Sequence, residues 1–261
     1  MTILDRIILD KKAEVALKKK LLPETAFSQF ALLSRETHSL KASLLERPTG
    51  IIAEHKRRSP SRAVINQRSS VSEVASGYER AGAAGISVLT DGKYFGGSLE
   101  DLLLARAATN LPLLRKEFIV DPYQILEAKA FGADAILLIA AVLSESELKS
   151  LSERAHALGL EVLLEVHNGQ ELEKSLGAGA DLIGVNNRNL KTFEVSLETS
   201  RELVGRIPDG VGKVSESGLG SPEQLRELKA IGYQGFLMGE SFMKEKDPGA
   251  ALATLLSEMD S

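Results

Sequence analysis

The stretch Ile51-Ile52-Ala53-Glu54-His55-Lys56-Arg57-Arg58-Ser59-Pro60-Ser61 decides how the rest of the chain is interpreted. It opens as a short apolar run, which predicts a buried β-strand. Because side chains alternate along a strand, Ile52, Glu54 and Lys56 share one face. An acid and a base therefore leave this strand where it breaks into a Ser-Pro-Ser turn. The placement indicates a functional site at the carboxyl end of the strand, and a structural Glu–Lys pair that caps the strand is the alternative.

From Gly50 onward, a short apolar strand, a loop and a helix with a glycine-rich ending recur. The predicted strands are 51–55, 86–90, 112–115, 135–139, 161–165, 182–185, 211–214 and 235–238. The predicted helices are 71–81, 99–107, 123–131, 145–157, 170–176, 197–206, 222–230 and 250–259. Strands that alternate with helices form a parallel sheet, and eight such units predict an α/β fold, the closed (β/α)₈ or TIM barrel. An open doubly wound sheet is the second possibility.

Two amphipathic segments precede the first strand, at 2–19 and 24–34, and both are predicted helices. We expect one TIM-barrel domain over residues 1–261, in which residues 1–46 form an N-terminal helical extension that covers the barrel mouth. Packing of these helices on an open face of the core is the alternative.

Composition excludes several classes of function. The net charge of −4 argues against nucleic acid as the main partner, and the absence of cysteine excludes disulfides, thiolate metal sites and cysteine nucleophiles. Glu165 and His167 share a strand face, but the four histidines show no metal-ligand spacing, so we predict no metal. The amino end lacks the apolar core of a signal peptide, and no run of 18 apolar residues occurs. We therefore expect a cytoplasmic protein without a membrane partner.

Polar residues follow the predicted strands where each one ends. In a barrel these ends converge on one rim, which is where barrel enzymes hold their active sites. The rim residues are Glu54, Lys56, Lys116, Glu165, Asn186, Arg188 and the runs Ser215–Gly218 and Met238–Ser241. Two lysines and two glutamates that meet there form a group able to transfer protons. A second ammonium lowers the pKa of a lysine and a pairing carboxylate raises it, and the sequence leaves open which effect is larger.

The last two strand ends predict a phosphate site. Gly218 and Gly239 follow strands seven and eight and allow backbone N–H groups to approach an anion, and the helices that come next add their N-terminal dipoles. Lys56 and Ser59 from the first loop could complete this cradle. Plain turn glycines are the alternative.

Five stretches, in order, resemble the indole-3-glycerol phosphate synthase family: Ile51–Ser61, Leu89–Ser98, Leu114–Gln124, Gly184–Leu190 and Val214–Gly218. The resemblance extends over nearly the whole chain and implies a TIM barrel with an extra N-terminal helical segment. It implies a lyase of tryptophan biosynthesis that needs no cofactor. This lyase closes the pyrrole ring of 1-(2-carboxyphenylamino)-1-deoxyribulose 5-phosphate, with loss of CO₂ and water.

The resemblance also implies roles for individual residues. The catalytic residues are Lys116 as general acid, Lys56 on the substrate carboxylate, Glu165 as acid or base in dehydration, Glu54 and Asn186 as orienting groups, and Ser217. The substrate-binding residues are Arg188 in support, Phe95 and Phe118 as walls for the aromatic ring, and Ser59, Gly218, Gly239 and Glu240 at the phosphate. The reaction needs an acid near its operating pH, which a lysine becomes when it is desolvated near another cation.

Two rival functions remain. A barrel isomerase acting on a phosphoribosyl amine usually works with a Cys–Asp pair, and this chain has no cysteine. A catalytically silent barrel would only bind a sugar phosphate or a partner enzyme, and the intact set Lys116, Glu165 and Lys56 argues against it. Beyond the small phosphorylated substrate, we expect a monomer, with other tryptophan-pathway enzymes as the partners to consider.

Overall fold

The computed structural model describes residues 2–60, 62–190 and 192–259, so Ser61 of the opening stretch lies outside the described residues. Eight parallel strands close into a barrel in chain order. They are β1 Gly50–His55, β2 Gly85–Leu89, β3 Leu113–Lys116, β4 Ala135–Ile139, β5 Glu161–Val166, β6 Leu182–Asn186, β7 Gly212–Glu216 and β8 Gly235–Met238. Each overlaps its predicted strand, so the TIM-barrel prediction is confirmed.

Helices surround the barrel and connect its strands. They are α1 Ile3–Leu21, α2 Leu40–Glu46, α3 Val71–Ala81, α4 Gly92–Phe95, α5 Leu99–Ala108, α6 Pro122–Ala130, α7 Glu145–Ala157, α8 Gly169–Ser175, α9 Glu198–Leu203, α10 Pro222–Ala230, α11 Glu240–Met243 and α12 Pro248–Met259. Short 3₁₀ helices occupy Glu24–Gln29, Ala31–Ser34 and Val204–Arg206. Within the described parts of the chain, no helix combines the length and apolar character needed to cross a membrane.

The segment between α1 and β1 differs from its prediction. A single helix over 24–34 is wrong, because Phe30 adopts an extended conformation (φ −83°, ψ 120°) and divides it into two 3₁₀ helices. The Phe30 ring packs 5.3 Å from that of Phe27 and 5.4 Å from that of Phe131. Tertiary packing of these aromatic rings therefore decides the local conformation.

The two ends of the N-terminal extension lie at opposite ends of the barrel. Ile3 and Ile7 of α1 reach a cavity at the carboxyl ends of the strands. Leu40 and Leu44 of α2 are instead buried against the amino ends, where Gly50 of β1 leaves room for the Leu44 side chain. The expected cover over the barrel mouth therefore concerns α1, whereas α2 closes the other end.

Strand alternation explains how an apolar barrel presents charged groups at its mouth. The inward-facing residues in the interior of the barrel, below the charged rim, belong to one buried apolar cluster. On four of the strands, a charged residue follows two positions further along the same face, at the carboxyl end. These pairs are Ile52 and Glu54, Leu114 and Lys116, Leu163 and Glu165, and Val214 and Glu216. The same side-chain period that fills the core therefore delivers the charged groups to one rim.

Candidate active site

A single cavity at the carboxyl ends of the strands contains every site residue predicted from the sequence. The catalytic candidates that line it are Glu54, Lys56, Lys116, Glu165, Asn186 and Ser217. The binding candidates that line it are Ser59, Phe95, Phe118, Arg188, Gly218, Gly239 and Glu240. Strand ends and loops from around the whole barrel thus meet at one site.

Lys116 lies at the centre of the charged part of the site. Its Nζ atom is 2.5 Å from Oε2 of Glu216 and 3.2 Å from Oε2 of Glu165. Both carboxylates are buried, so these charge-assisted contacts are little screened by water. The ammonium group is thereby held at a fixed position that faces the cavity.

The pKa of Lys116 depends on the two opposing effects that the sequence left open. Burial opposes the charged ammonium, but the carboxylates of Glu216 and Glu165 outweigh burial and raise the pKa of Lys116. Lys56 does not supply the expected competing charge, because its Nζ pairs with Oε1 of Glu54 at 2.7 Å. Of the two effects that the sequence left open, the effect of the carboxylates is therefore the larger, and Lys116 carries its proton.

Glu54 links the first two strands to this charged group. Its Oε2 accepts a hydrogen bond from the Ser87 hydroxyl of β2 at 3.1 Å, while Oε1 accepts from Lys56. Burial favours the neutral acid, but Lys56 and Lys116 outweigh burial and lower the pKa of Glu54. Glu54 therefore stays ionised and fixes the position of Lys56.

Glu216 belongs to the rim predicted from the sequence, but the sequence reasoning gave it no role of its own. Burial and the nearby charge of Glu165 raise the pKa of Glu216 to about 7, against the opposing effect of Lys116. Gly184 of β6 makes space for it, since a Cβ atom there would lie 2.2 Å from Oε1 of Glu216. Alternation in β7 gave the available signal, because Val214 and Glu216 share the inward face, whereas the prediction chose Ser217.

Glu165 lies between Lys116 and His167. In addition to Lys116, its second oxygen Oε1 is 3.4 Å from Nε2 of His167. Burial raises the pKa of Glu165, but Lys116 and His167 outweigh burial and lower it. The Asn186 side chain also hydrogen bonds to Glu165.

A tight turn at Ser217 and Gly218 forms part of the cavity wall after β7. Ser217 and Gly218 both have left-handed backbone conformations, with φ of 68° and 74°. A Cβ atom at Gly218 would lie 2.2 Å from Cγ1 of Val195, so the turn requires glycine. Successive N–H groups in such a turn form a concave surface that suits an anion.

The loop after β1 reaches this same end of the cavity. Arg62 pairs with the side chain of Glu240 at 2.6 Å, and both groups are about half exposed. The Glu240 carboxylate is therefore neutralised, which leaves its backbone at the start of α11 as the part suited to an anion.

The opposite side of the cavity is apolar. The rings of Phe95 and Phe118 pack with centroids 5.9 Å apart and an interplanar angle of 41°. Ile3, Leu4 and Ile7 of α1 line the same cavity. The site thus combines an apolar wall, a central group of buried charges and a glycine-containing turn. No group of His, Asp and Glu suited to a metal ion occurs among the described residues.

Comparison with known proteins agrees with this arrangement. The sequence profile described as "Indole-3-glycerol phosphate synthase" matches residues 4–255. An indole-3-glycerol phosphate synthase of Bacteroides thetaiotaomicron is 45% identical over 254 residues, with 97% of each chain covered. That of Chromobacterium violaceum is 46% identical over 257 residues, again with 97% of each covered.

Solved structures support the fold alone. A thiamine phosphate pyrophosphorylase from Pyrococcus furiosus has a TM-score of 0.62 at 17% identity, covering 85% of this chain and 98% of its own. Because the sequence relatives match over almost their full length and at far higher identity, they define the family. The chain belongs to the indole-3-glycerol phosphate synthase family.

Proposed function

We propose that this chain catalyses the indole-3-glycerol phosphate synthase reaction with the residues described above. The substrate is 1-(2-carboxyphenylamino)-1-deoxyribulose 5-phosphate, and the products are indole-3-glycerol phosphate, CO₂ and water. The observation that carries this proposal is Lys116, held between Glu165 and Glu216 inside a cavity with an apolar wall and an anion site. A barrel that only binds would not need a buried ammonium between two carboxylates, which costs several kcal/mol of desolvation.

The cavity fixes the orientation of the substrate in this proposal. The aromatic ring packs against Phe95 and Phe118, and the phosphate lies on the backbone N–H groups near Gly218 and Gly239. The ring carboxylate contacts Lys56, whose ammonium Glu54 holds in place. The ketone of the sugar chain then lies near Lys116, between the two anchored ends.

Ring closure is the first chemical step. The ring carbon that bears the carboxylate attacks the ketone carbon, and Lys116 donates a proton to the ketone oxygen. Cleavage of the bond to the carboxylate then releases CO₂ and returns its electron pair to the ring. The apolar wall favours this loss, because a carboxylate is destabilised where water is excluded.

Dehydration is the second step. The new hydroxyl leaves as water after it receives a proton, and a base removes a proton from the neighbouring carbon to complete the pyrrole ring. Glu165 is placed to act on this proton. Glu216, with a pKa of about 7, can both donate and accept a proton near neutral pH and can return one to Lys116. In total, two protons are taken up at oxygen and one is released, which balances the loss of an ionised carboxylate as CO₂.

The remaining parts of the proposal concern the surroundings of the enzyme. We place it in the cytoplasm, where phosphorylated biosynthetic intermediates occur, and regard the substrate as its defining partner. The first turn of α1, through Ile3 and Ile7, acts as cover over the apolar side of the cavity.

A direct assay tests the function. Purified protein is mixed with 1-(2-carboxyphenylamino)-1-deoxyribulose 5-phosphate, and the formation of indole-3-glycerol phosphate is followed by its indole fluorescence. Substrate binding is measured separately by calorimetry. We expect turnover that saturates with substrate. Binding without turnover would favour the silent barrel, and absence of both would reject the substrate class.

A further inference from the structure

His167 lies directly after β5, behind Glu165 and outside the lining of the cavity. Its side chain is only 9% exposed, and its ring stands between two carboxylates. Nε2 is 3.4 Å from Oε1 of Glu165, and Nδ1 is 3.1 Å from Oε2 of Glu171. The two oxygens of Glu165 are therefore divided, one toward Lys116 in the cavity and one toward His167 behind it.

Glu171 fixes the orientation of the imidazole ring. Its Oε2 accepts a hydrogen bond from the backbone N–H of His167 at 2.8 Å, and its Oε1 accepts one from the Asn168 side chain at 2.9 Å. Asn168 in turn caps α8 by accepting from the Glu171 backbone N–H. Because Glu171 belongs to the first turn of a capped helix, the ring has a well-defined support.

The ring hydrogen bonds through Nδ1 to Glu171, whereas Nε2 approaches Glu165 without forming a hydrogen bond, so this second contact is electrostatic. A neutral imidazole has one N–H group, so its other nitrogen would direct a lone pair at a carboxylate oxygen. An imidazolium ion carries an N–H group at each nitrogen and is attracted to both carboxylates. The charged groups that face the ring are Glu165 of β5, Glu171 of α8 and, further away, Glu216 of β7. Together these carboxylates outweigh burial and raise the pKa of His167.

We propose that His167 is a positioning residue for Glu165, whose carboxylate it holds ionised and aimed at Lys116 while Glu171 keeps the ring in place. The contribution to turnover rests on the proposed function, because it acts through the role given there to Glu165. The charge and placement of His167 do not depend on that function, so they can be tested separately.

Nitrogen NMR of the histidine rings in the full-length protein tests the placement without any assay of turnover. The chain has four histidines, and loss of a signal in a His167→Gln variant assigns the relevant ring. We expect His167 to remain an imidazolium above its ordinary titration range and to titrate at lower pH in a Glu171→Gln variant. His55 provides an internal contrast, since burial lowers its pKa to about 4. A neutral His167 ring at pH 6, or a titration unchanged by Glu171→Gln, would overturn the proposal.

The pH profile of turnover tests the action through Glu165. His167→Gln removes a positive neighbour, so the acid limb of kcat should move to higher pH, with kcat reduced roughly tenfold, less than the 10²–10⁴ of a direct proton donor. His156→Gln is the matched control, because His156 also pairs with an acid, Asp181, at 3.0 Å, but on the surface. An acid limb that stays in place, or moves equally in the control, would contradict the proposal. Inactive wild-type protein would instead count against the proposed function, and the NMR titration would still decide the placement of His167.

Discussion

A buried lysine on α1 provides a quantitative test of how the N-terminal extension is joined to the barrel. Lys11 is 2% exposed, and its Nζ lies 2.8 Å from Glu14, 3.0 Å from Asp91 and 3.2 Å from Glu117. Asp91 caps α4, which ends in Phe95, and Glu117 immediately precedes Phe118. One ammonium group therefore ties α1 to both loops that carry the aromatic wall.

Lys11→Met keeps the length of the side chain and removes its charge. The loss of one partner from a buried ion pair costs about 3–5 kcal/mol. Asp91 keeps its backbone donors at Tyr94 and Phe95, and Glu117 keeps the Thr90 hydroxyl, so we expect the lower end, about 3 kcal/mol. At about 2–4 °C per kcal/mol for a chain of this size, Tm should fall by roughly 6–12 °C.

Thermal and urea unfolding measure this change, and Lys19→Met is the matched control. Lys19 belongs to the same helix but pairs with Asp121 at the surface, so its removal should cost no more than about 1 kcal/mol. The Lys11 variant should also have a raised KM with a smaller change in kcat, because the loosened α1 carries part of the cavity wall. Equal stability of the two variants would refute the reasoning.

Two further predictions concern β7 and the turn after it. Gly218→Ala should raise KM more than it lowers kcat, because the new Cβ would lie 2.2 Å from Val195 in a left-handed turn, whereas Gly220→Ala, with no atom within 4 Å, should have normal kinetics. Glu216→Gln should gain stability relative to the wild type as pH rises. The folded-state pKa of Glu216, about 7, lies above the unfolded value, so wild-type stability is lost between about pH 4.5 and 7. Urea unfolding at pH 5 and pH 8 checks this, and a constant difference between the two proteins would contradict it.

The strands and the rim were predictable because one periodicity controls both. Apolar residues that alternate inward identify the strands, and the next inward position places Glu54, Lys116 and Glu165 at the mouth. The helix α2 was missed because it has only seven residues, and its two buried leucines pack against glycines of β1 and β2 that are distant from one another in the sequence.

The charge states of the site could not be obtained from the sequence. The pKa of Lys116 depends on its distances to Glu216 and Glu165, which lie on other strands. The ion pair between Lys56 and Glu54 depends on the conformation of the chain after β1. His167 was considered only as a metal ligand, because its pairing with Glu171 requires the turn between β5 and α8. Side-chain distances in the folded chain, rather than composition, set these properties.

The central claim is that Lys116 donates the proton that starts ring closure. Lys116→Met should reduce the single-turnover rate of indole-3-glycerol phosphate formation about 10²–10⁴-fold, the usual contribution of a positioned proton donor. Substrate affinity, measured on the same preparation, should stay close to that of the wild type, whereas Tm should fall as it does for Lys11→Met, because Glu165 and Glu216 lose their shared buried partner. A Lys116→Met protein that is folded, binds substrate and forms product at a near-normal rate would contradict the account.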